Sequence, residues 1–514
     1  MKRCFYAVFF LASLAACSTE AGDDGDPTDS TSEDEALTQC PAAPAQPSDE
    51  HFGAAGQVRI WTTREVGDGA EIAKDADVAF APAGAGGPEA IDVDDTKTFQ
   101  TVHGFGGAMT DSSAWMLQRL PCGERQKVMQ RLFDPKSGIG LSVMRQPIGA
   151  SDFTQNGPYS YDEPPGGGDD ASLSHFSIAH DKKYILPIVR EARRLNPALS
   201  IVASPWSPPA FMKTNRSMLN GGDSGKLRGD MYGPYAEYLV KFVQAYEAEG
   251  VKVDALTPQN EPGQQTDYPG MDLNEPAEAD LLAKELFPRL DKAKLGGLKV
   301  FGFDYNWATA FPDGLLADGR IKNRLHGIAF HCYGGSPTVM NAIHDGGKET
   351  WVTECTSASG PAQHHGRAIE QLIRSTRNSA GAFLTWNLVL GKFANGEDGF
   401  PHTGHGCTNC IGAVTIENGK PHYTRDFSDL GQASKFVRPG AVRIQSNTFS
   451  DFRNTSNASD KGGLEDVAFK NTDGSIVVVA FNSSDAPIAH QIRWRGQAIT
   501  HTLAARSAAT FVWK

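Results

Sequence analysis

Alternating apolar and amphipathic segments dominate the chain between about residues 96 and 436. Eight short apolar runs are strand candidates: residues 104–108, 141–147, 199–204, 254–259, 298–303, 327–331, 350–354 and 382–388. Amphipathic helix candidates separate most of them, at residues 113–132, 181–195, 234–249, 276–292 and 365–379. In the second helix, for example, Ile185, Ile188 and Val189 share one face. Eight strand–helix units predict an α/β fold, a (β/α)8 TIM barrel spanning residues 96–436.

An open doubly wound sheet would show the same alternation of strands and helices. Its phosphate-binding fingerprint is incomplete here, because Gly104 and Gly106 are not followed by the third glycine at the required spacing. We therefore favour the closed barrel.

Strand-like alternation replaces the helical period at both ends of the barrel region. Strand candidates at residues 466–469, 475–481, 490–494 and 509–513 are separated by turn residues. Residues 56–95 hold similar short segments. We predict a C-terminal β-sandwich domain over residues 437–514, which the strands of residues 56–95 join to complete an accessory all-β domain.

The first 17 residues have the pattern of an export signal. Lys2 and Arg3 precede the apolar run of residues 5–14, which is too short to span a membrane. Residues 14–17 (LAAC) then resemble the bacterial lipobox, whose cysteine carries lipid. We expect a lipoprotein signal peptide ending at Cys17 and an exported bacterial protein held at the membrane or cell surface by lipid alone. A plain signal peptide cleaved near Ala16 is the alternative.

The acidity of the chain is concentrated in one segment. The net charge is −13, and residues 18–50 contain ten Asp or Glu and no Lys or Arg. This composition predicts an acidic disordered linker. A basic surface for nucleic acid is not indicated, so we expect no nucleic-acid partner.

Six cysteines remain after the export segment, and an exported protein can pair them as disulfides. The two that are closest in sequence, Cys407 and Cys410, form the favoured local pair. A zinc site with His402 and His405 is the less favoured alternative. The six are Cys40, Cys122, Cys332, Cys355, Cys407 and Cys410.

Two glutamates carry the candidate chemistry. Glu261 follows the fourth predicted strand and Glu354 ends the seventh. Active residues of a barrel lie at the carboxyl ends of its strands, and strands four and seven lie on opposite sides of the mouth. Retaining glycosidases need two facing carboxyl groups, one protonated and one ionised. Taken singly, Glu261 could be a carboxylate at a helix N-terminus and Glu354 a loop carboxylate in a salt bridge.

Several motifs between about residues 98 and 444 occur in a characteristic order. They are GFGGAMTD at 104–111, MR at 144–145, IGASDF at 148–153, SPWSPP at 204–209, QNEP at 259–262, HCY at 331–333, TE at 353–354, WNL at 386–388 and KFVRPG at 435–440. In order and spacing they resemble glycoside hydrolase family 30, the glucosylceramidase-like family of clan A.

The resemblance implies a role for each matching position. It makes Glu261 the acid/base and Glu354 the nucleophile, with Arg145 holding the nucleophile and Asn260 binding the sugar 2-hydroxyl. The complete set of implied binding positions is Asp111, Arg145, Trp206, Asn260, His331, Tyr333 and Trp386. Other interpretations stay open: a structural ion pair for Arg145, a helix cap for Asp111, and core packing for the two tryptophans.

The implied function is a retaining β-glycoside hydrolase of the glucosylceramidase or β-glucosidase type, working by double displacement. Its partner would be a β-glucoside, glucan or glycolipid substrate, with no metal or organic cofactor. An endo-β-1,6-glucanase and a β-xylanase of the same family are alternatives. A non-catalytic glycan-binding surface lipoprotein is an alternative from another class.

Overall fold

The computed structural model describes residues 56–66, 69–83, 89–155, 157–220, 225–358, 367–392, 394–395, 399–404, 406–447 and 463–514. The predicted signal peptide with Cys17 and the predicted linker of residues 18–50 lie outside these residues. Within them, no helix combines the length and the apolar character that a membrane crossing requires.

The strands and helices are numbered in chain order. The strands are β1 Gln57–Val66, β2 Gly69–Lys74, β3 Val78–Ala79, β4 Ala81–Pro82, β5 Glu89–Val102, β6 Gly104–Ala108, β7 Val143–Ile148, β8 Ser200–Pro205, β9 Ala255–Leu256, β10 Lys299–Asn306, β11 Gly327–His331, β12 Glu349–Glu354, β13 Ser357–Ala358, β14 Ala380–Thr385, β15 Val389–Gly391, β16 Cys410–Ile411, β17 Val414–Glu417, β18 Lys420–Tyr423, β19 Ala441–Gln445, β20 Leu464–Lys470, β21 Ile476–Asn482, β22 Ile488–Trp494, β23 Gln497–Leu503 and β24 Ala508–Trp513. The α-helices are α1 Asp111–Gln118, α2 Cys122–Phe133, α3 Ala179–Lys183, α4 Ile185–Leu195, α5 Tyr232–Ala248, α6 Glu275–Asp280, α7 Phe287–Lys292, α8 Ala310–Ala317, α9 Val339–Asp345, α10 Ala368–Arg377 and α11 Arg425–Ser434.

Eight parallel strands close into the predicted barrel, in the order β6, β7, β8, β9, β10, β11, β12 and β14. Every predicted barrel strand has a counterpart, although the bounds of several differ by a few residues and the fourth strand is much shorter than predicted. β9 is only Ala255–Leu256, and Pro258, which has no amide hydrogen, cannot continue its ladder. The barrel interior is filled by one apolar cluster: Val143, Val202, Ala255, Phe301, Ala329, Trp351, Ala382 and Leu384.

Helices cover the barrel at all five predicted stretches, although residues 113–132 are divided between α1 and α2 and residues 181–195 between α3 and α4. In α4 the residues Ile185, Ile188 and Val189 are buried, while Arg190 reaches Glu249 on the surface. The apolar stripe therefore faces the core and the charged stripe faces water.

A second sheet combines both ends of the described chain. Its strand order is β2, β1, β24, β21, β20, β19, β5, β22, β23 and β4, and β3 pairs with β1. The N-terminal strand β1 pairs antiparallel with β24, and β5 pairs antiparallel with β19. The sheet adjoins the barrel side through Thr510, whose hydroxyl donates to the carbonyl of Gln432 in α11 at 2.6 Å. The accessory all-β domain predicted from the sequence is present.

Candidate active site

The two predicted catalytic glutamates face each other at the carboxyl ends of the barrel strands. Glu354 is the last residue of β12, and Glu261 follows β9. One oxygen of each carboxylate and a ring nitrogen of His331 all lie within 4.8 Å of one another. Carboxyl oxygens this close suit the roughly 5–5.5 Å separation of carboxyl groups in retaining glycosidases better than the ~6.5–9.5 Å of inverting ones.

Glu354 is held by two donors. The Arg145 guanidinium donates through Nη1 to Oε2, and the Tyr333 hydroxyl donates to Oε1 at 2.8 Å. Arg145 is fully buried, so little water competes for its charge. Both oxygens of Glu354 therefore accept hydrogen bonds. These bonds favour the ionised carboxylate that a nucleophile needs.

Glu261 has a different environment. Its Oε1 lies 3.0 Å from Nδ1 of His331. Its backbone adopts a φ of 45°, an uncommon left-handed conformation for a residue other than glycine, and its amide donates to the carbonyl of Asp304 at 3.0 Å. Burial raises the pKa of Glu261, with a further contribution from the charge of Glu354, although His331 acts in the opposite direction. Glu261 therefore keeps its proton to a higher pH than an ordinary glutamic acid.

Asp304, near the end of β10, organises the site, although no sequence motif pointed to it. The carboxylate is fully buried, and burial alone would raise its pKa. The Arg145 guanidinium and His331 instead hold the pKa of Asp304 below its usual range. Its signal was available, since Asp304 directly follows the predicted strand of residues 298–303. Its side-chain partners are Arg145 at 2.7 Å, Ser204 at 2.7 Å, Thr257 at 2.7 Å, Thr353 at 2.6 Å and His331 at 3.3 Å.

His331 connects the two halves of the site. Its Nε2 lies 3.3 Å from Asp304 and its Nδ1 faces Glu261. Burial opposes a charged ring, but the charge of Glu354 and the bonds to Asp304 and Glu261 raise the pKa of His331 to about 9. The ring is therefore a cation near neutral pH, with a proton on each nitrogen.

The predicted tryptophans form one wall beside Arg145. The rings of Trp206 and Trp386 stack with centroids 5.0 Å apart, and the guanidinium lies 4.7 Å from the Trp206 ring. Both rings are buried, as the core interpretation expects, and their role in binding sugar stays a prediction. Asn260 accepts from Arg145 Nη2 at 2.7 Å through its Oδ1, which leaves the Nδ2 group to donate elsewhere.

Asp111 lies at the same end of the barrel, just beyond β6. Its Oδ2 is 2.7 Å from Nε2 of His180, and the Tyr184 hydroxyl donates to its Oδ1 at 2.9 Å. The helix-cap interpretation is wrong, because the Thr110 side chain caps α1 by accepting from the amide of Ser113. His180 and Tyr184 carried no motif in the sequence and were missed.

Asp152 adds a third carboxyl group. It lies in the loop after β7, with Oδ2 3.8 Å from Nε2 of His402. Burial and the charge of Glu354 raise its pKa well above the usual range. A neutral Asp152 can donate a hydrogen bond, which an ionised one cannot. Asp152 belongs to the sequence motif IGASDF at residues 148–153, but that motif assigned it no role.

Two disulfides lie near the mouth. Cys332–Cys355 joins the residues that follow His331 and Glu354, with Cα atoms 5.2 Å apart. Cys407–Cys410 confirms the favoured local pair. The zinc alternative there is wrong, because both sulfurs are used in the bond. His405 lies outside the described residues.

The donor atoms of Glu261, His331 and Glu354 are close enough to share a metal ion. The Arg145 guanidinium, however, already supplies a positive charge to Oε2 of Glu354. The cluster is therefore arranged for acid–base and nucleophilic chemistry by its own side chains.

This fold and this pair of carboxyl groups define a retaining β-glycosidase. The glycosyl hydrolase family 30 TIM-barrel domain matches residues 102–364, and the family 30 beta sandwich domain matches residues 440–511. The chain belongs to glycosyl hydrolase family 30. The non-catalytic alternative is therefore set aside.

Similar proteins share most of their length with this chain. The endo-1,6-beta-D-glucanase of Neurospora crassa is 35% identical over 76% of this chain and 81% of its own. The lysosomal acid glucosylceramidase of Mus musculus is 29% identical over 76% and 77%. Among solved structures, the endo-beta1,6-glucanase BT3312 has a TM-score of 0.76 and 28% identity, covering 89% of this chain and 99% of that one.

Proposed function

We propose that Glu354 is the nucleophile and Glu261 the general acid and base of a double displacement. Glu354 attacks the anomeric carbon while Glu261 donates its proton to the leaving oxygen. Glu261 then removes a proton from water, and the attacking oxygen releases the sugar from Glu354. The observation that carries this proposal is the asymmetry of the pair: two donors bind Glu354, whereas burial raises the pKa of Glu261.

We infer that the binding positions predicted from the sequence surround the sugar on this pair. Asn260 has a donor group left for a sugar hydroxyl, because its carbonyl oxygen is taken by Arg145. Trp206 and Trp386 supply flat apolar surface, and Asp111 supplies a carboxylate fixed by His180. Flat rings and carboxylates suit the apolar faces and the hydroxyls of a glucosyl unit.

Within the family, we propose that the substrate is a β-1,6-linked glucan cleaved internally. Three relatives at 30–35% identity are endo-1,6-beta-D-glucanases, and each match covers more than three quarters of both chains. Glucosylceramide is the second candidate, supported by the glucosylceramidase relatives at 29–30% identity.

The substrate is tested with purified protein lacking residues 1–17. The protein is incubated separately with a β-1,6-glucan, glucosylceramide and a β-xylan, and Glu354→Gln serves as the inactive control. Oligosaccharides from the β-1,6-glucan with wild type alone support the proposal. Glucose from glucosylceramide alone would replace it with the second candidate.

We further propose that the protein is exported and anchored through lipid on Cys17. The support is the lipobox-like LAAC segment behind an apolar run. Full-length wild type should partition with membranes, and Cys17→Ser should be released. Equal partitioning of both would refute the anchor.

A further inference from the structure

A second cluster of charged side chains lies in the long connection between β7 and α3, apart from the catalytic residues. Asp162, Asp170 and His175 each place one ligand atom within 4.8 Å of the other two. The described residues contain one other such cluster, and it is the catalytic one. Proximity of acidic groups is common without a metal, so the state of each side chain decides what the cluster can do.

Asp162 is fully buried, and neither of its carboxylate oxygens has a hydrogen-bond donor among the described residues. Its backbone is fixed, since its amide and carbonyl both contact the Ser160 hydroxyl, at 3.3 and 3.1 Å. A buried carboxylate with no donor is costly unless a cation compensates it. Both carboxylate oxygens of Asp162 are therefore open to a ligand.

Asp170 and His175 are already arranged side by side. Nδ1 of His175 lies 2.8 Å from Oδ2 of Asp170. Ser174 also donates to Oδ2, at 2.8 Å. Among the described residues Oδ1 accepts from Ser172 alone, at 2.7 Å, and keeps a second lone pair. Two ligands on one zinc-sized ion with bonds of about 2.0–2.2 Å are roughly 3–3.5 Å apart. The separations in the cluster, from 2.8 Å to at most 4.8 Å, bracket that range.

Nearby charges do not replace the missing cation. The Lys241 ammonium donates to the carbonyl of Leu173 at 3.0 Å. Glu163 accepts from the amide of Ser160 at 2.9 Å. Lys241 therefore forms no hydrogen bond with the Asp162 carboxylate among the described residues, and Glu163, itself an anion, cannot compensate its charge.

We propose that Asp162, Asp170 and His175 bind a divalent transition-metal cation of the zinc class. One imidazole and two carboxylates form a donor set typical of such ions, whereas calcium and magnesium prefer oxygen alone. The two carboxylate charges neutralise the ion, and water completes its coordination. The metal holds the connection in place and takes no part in the reaction at Glu354.

The position of the cluster gives the metal a structural consequence for sugar binding. The same connection carries Tyr159, whose ring stacks on His180 with centroids 3.8 Å apart. His180 in turn contacts Asp111. A fixed connection therefore supports the carboxylate predicted to bind sugar hydroxyls.

The test measures Zn²⁺ binding by calorimetry on full-length protein stripped with a chelator. All variants carry Glu354→Gln, so that the catalytic cluster loses a ligand. The Glu354→Gln protein should bind one Zn²⁺ at the loop, and its Tm should rise with Zn²⁺. Adding Asp162→Asn should weaken this binding by roughly 100-fold or more and abolish the rise.

His175→Ala provides an independent variant, because this side chain is 46% exposed and its loss should be tolerated by the fold. It should weaken Zn²⁺ binding in the same way. Asp169→Asn is the matched control, since Asp169 pairs with Arg216 and Arg228 outside the cluster, and it should bind Zn²⁺ normally. Absence of saturable binding in Glu354→Gln overturns the proposal. Unchanged binding in His175→Ala overturns it as well.

Discussion

Nδ1 of His331 lies 3.0 Å from Oε1 of Glu261, and the opposite nitrogen of the same ring lies 3.3 Å from Asp304. The ring thus links Glu261 to a carboxylate whose pKa is held below its usual range. Because His331 is charged near neutral pH, it lowers the pKa of Glu261 against the effect of burial. His331 therefore limits how far burial raises the pKa of Glu261.

Replacing His331 should shift the pH dependence of kcat/KM. In His331→Asn the lowering influence is lost, so the pKa of Glu261 should rise further. The proposed double displacement needs protonated Glu261 in its first step, so activity should be lost as the pH rises through that pKa. The basic limb of kcat/KM should therefore shift to higher pH, together with a lower maximum. The exposed histidine variant His422→Asn should leave the profile unchanged. A basic limb that stays in place or moves to lower pH would refute this role.

The Tyr333 hydroxyl should matter for turnover more than for folding. Tyr333→Phe removes the donor 2.8 Å from Oε1 of Glu354 and keeps the ring. Hydrogen bonds to charged groups contribute about 1.5–3 kcal/mol, so kcat/KM should fall roughly 10- to 100-fold. Tyr423→Phe, a ring contacting Arg131 on the barrel side, is the control. Full activity in Tyr333→Phe would argue against the hydrogen bond in solution.

Asp304 should be needed for both stability and catalysis. Asp304→Asn leaves the buried Arg145 guanidinium with one carboxylate fewer. Breaking a buried pair by removing one partner costs about 3–5 kcal/mol. Urea unfolding should show a loss of that order, and the folded fraction should have a much lower kcat. Asp313→Asn on α8 is the control. An unfolding free energy within about 0.5 kcal/mol of wild type would contradict the organising role.

The sequence predicted the barrel, the second sheet and both glutamates because each leaves a local pattern. Glu261 and Glu354 directly follow apolar runs, and the barrel geometry then brings those positions together. Asp304 also directly follows an apolar run, the predicted strand of residues 298–303, whereas the observed strand β10 continues to Asn306. A register shift between Phe303 and Tyr305, and a φ of 56° at Asp304, turn its carboxylate inward. That irregularity depends on tertiary contacts and has no pattern of its own.

His180 and Tyr184 could not be predicted in their site role for a different reason. They lie in α3 and at the start of α4, far in sequence from Asp111, and meet it only through the fold of the connection after β7. Nothing in residues 179–184 alone distinguishes a contact to Asp111 from an ordinary helix end.

A buried acid away from the mouth should make stability depend on pH. Burial raises the pKa of Glu278 from 4.5 to about 8, although the amide of Phe303 donates to it at 2.9 Å. Between these values the folded protein holds a proton that the unfolded chain releases. Stability from this group is therefore full below pH 4.5 and is lost as the pH rises toward 8.

Glu278→Gln removes that proton exchange. The decrease in unfolding free energy between pH 5 and pH 8, measured by urea denaturation, should be smaller in Glu278→Gln than in wild type. The exposed Glu247→Gln on α5 should behave like wild type. An identical decrease in all three proteins would show that Glu278 does not titrate in this range.

The anomeric configuration of the first product tests the proposed double displacement most directly. Carboxyl oxygens of Glu261 and Glu354 face each other within 4.8 Å, which suits the proposed double displacement through a covalent glycosyl-enzyme with net retention. Proton NMR of a β-1,6-glucan digest, recorded within the first minutes before mutarotation, measures the configuration of the new reducing end. We expect the β-anomer to appear first and the α-anomer to grow only with mutarotation. Initial release of the α-anomer would contradict the double displacement and the role of Glu354 as its nucleophile.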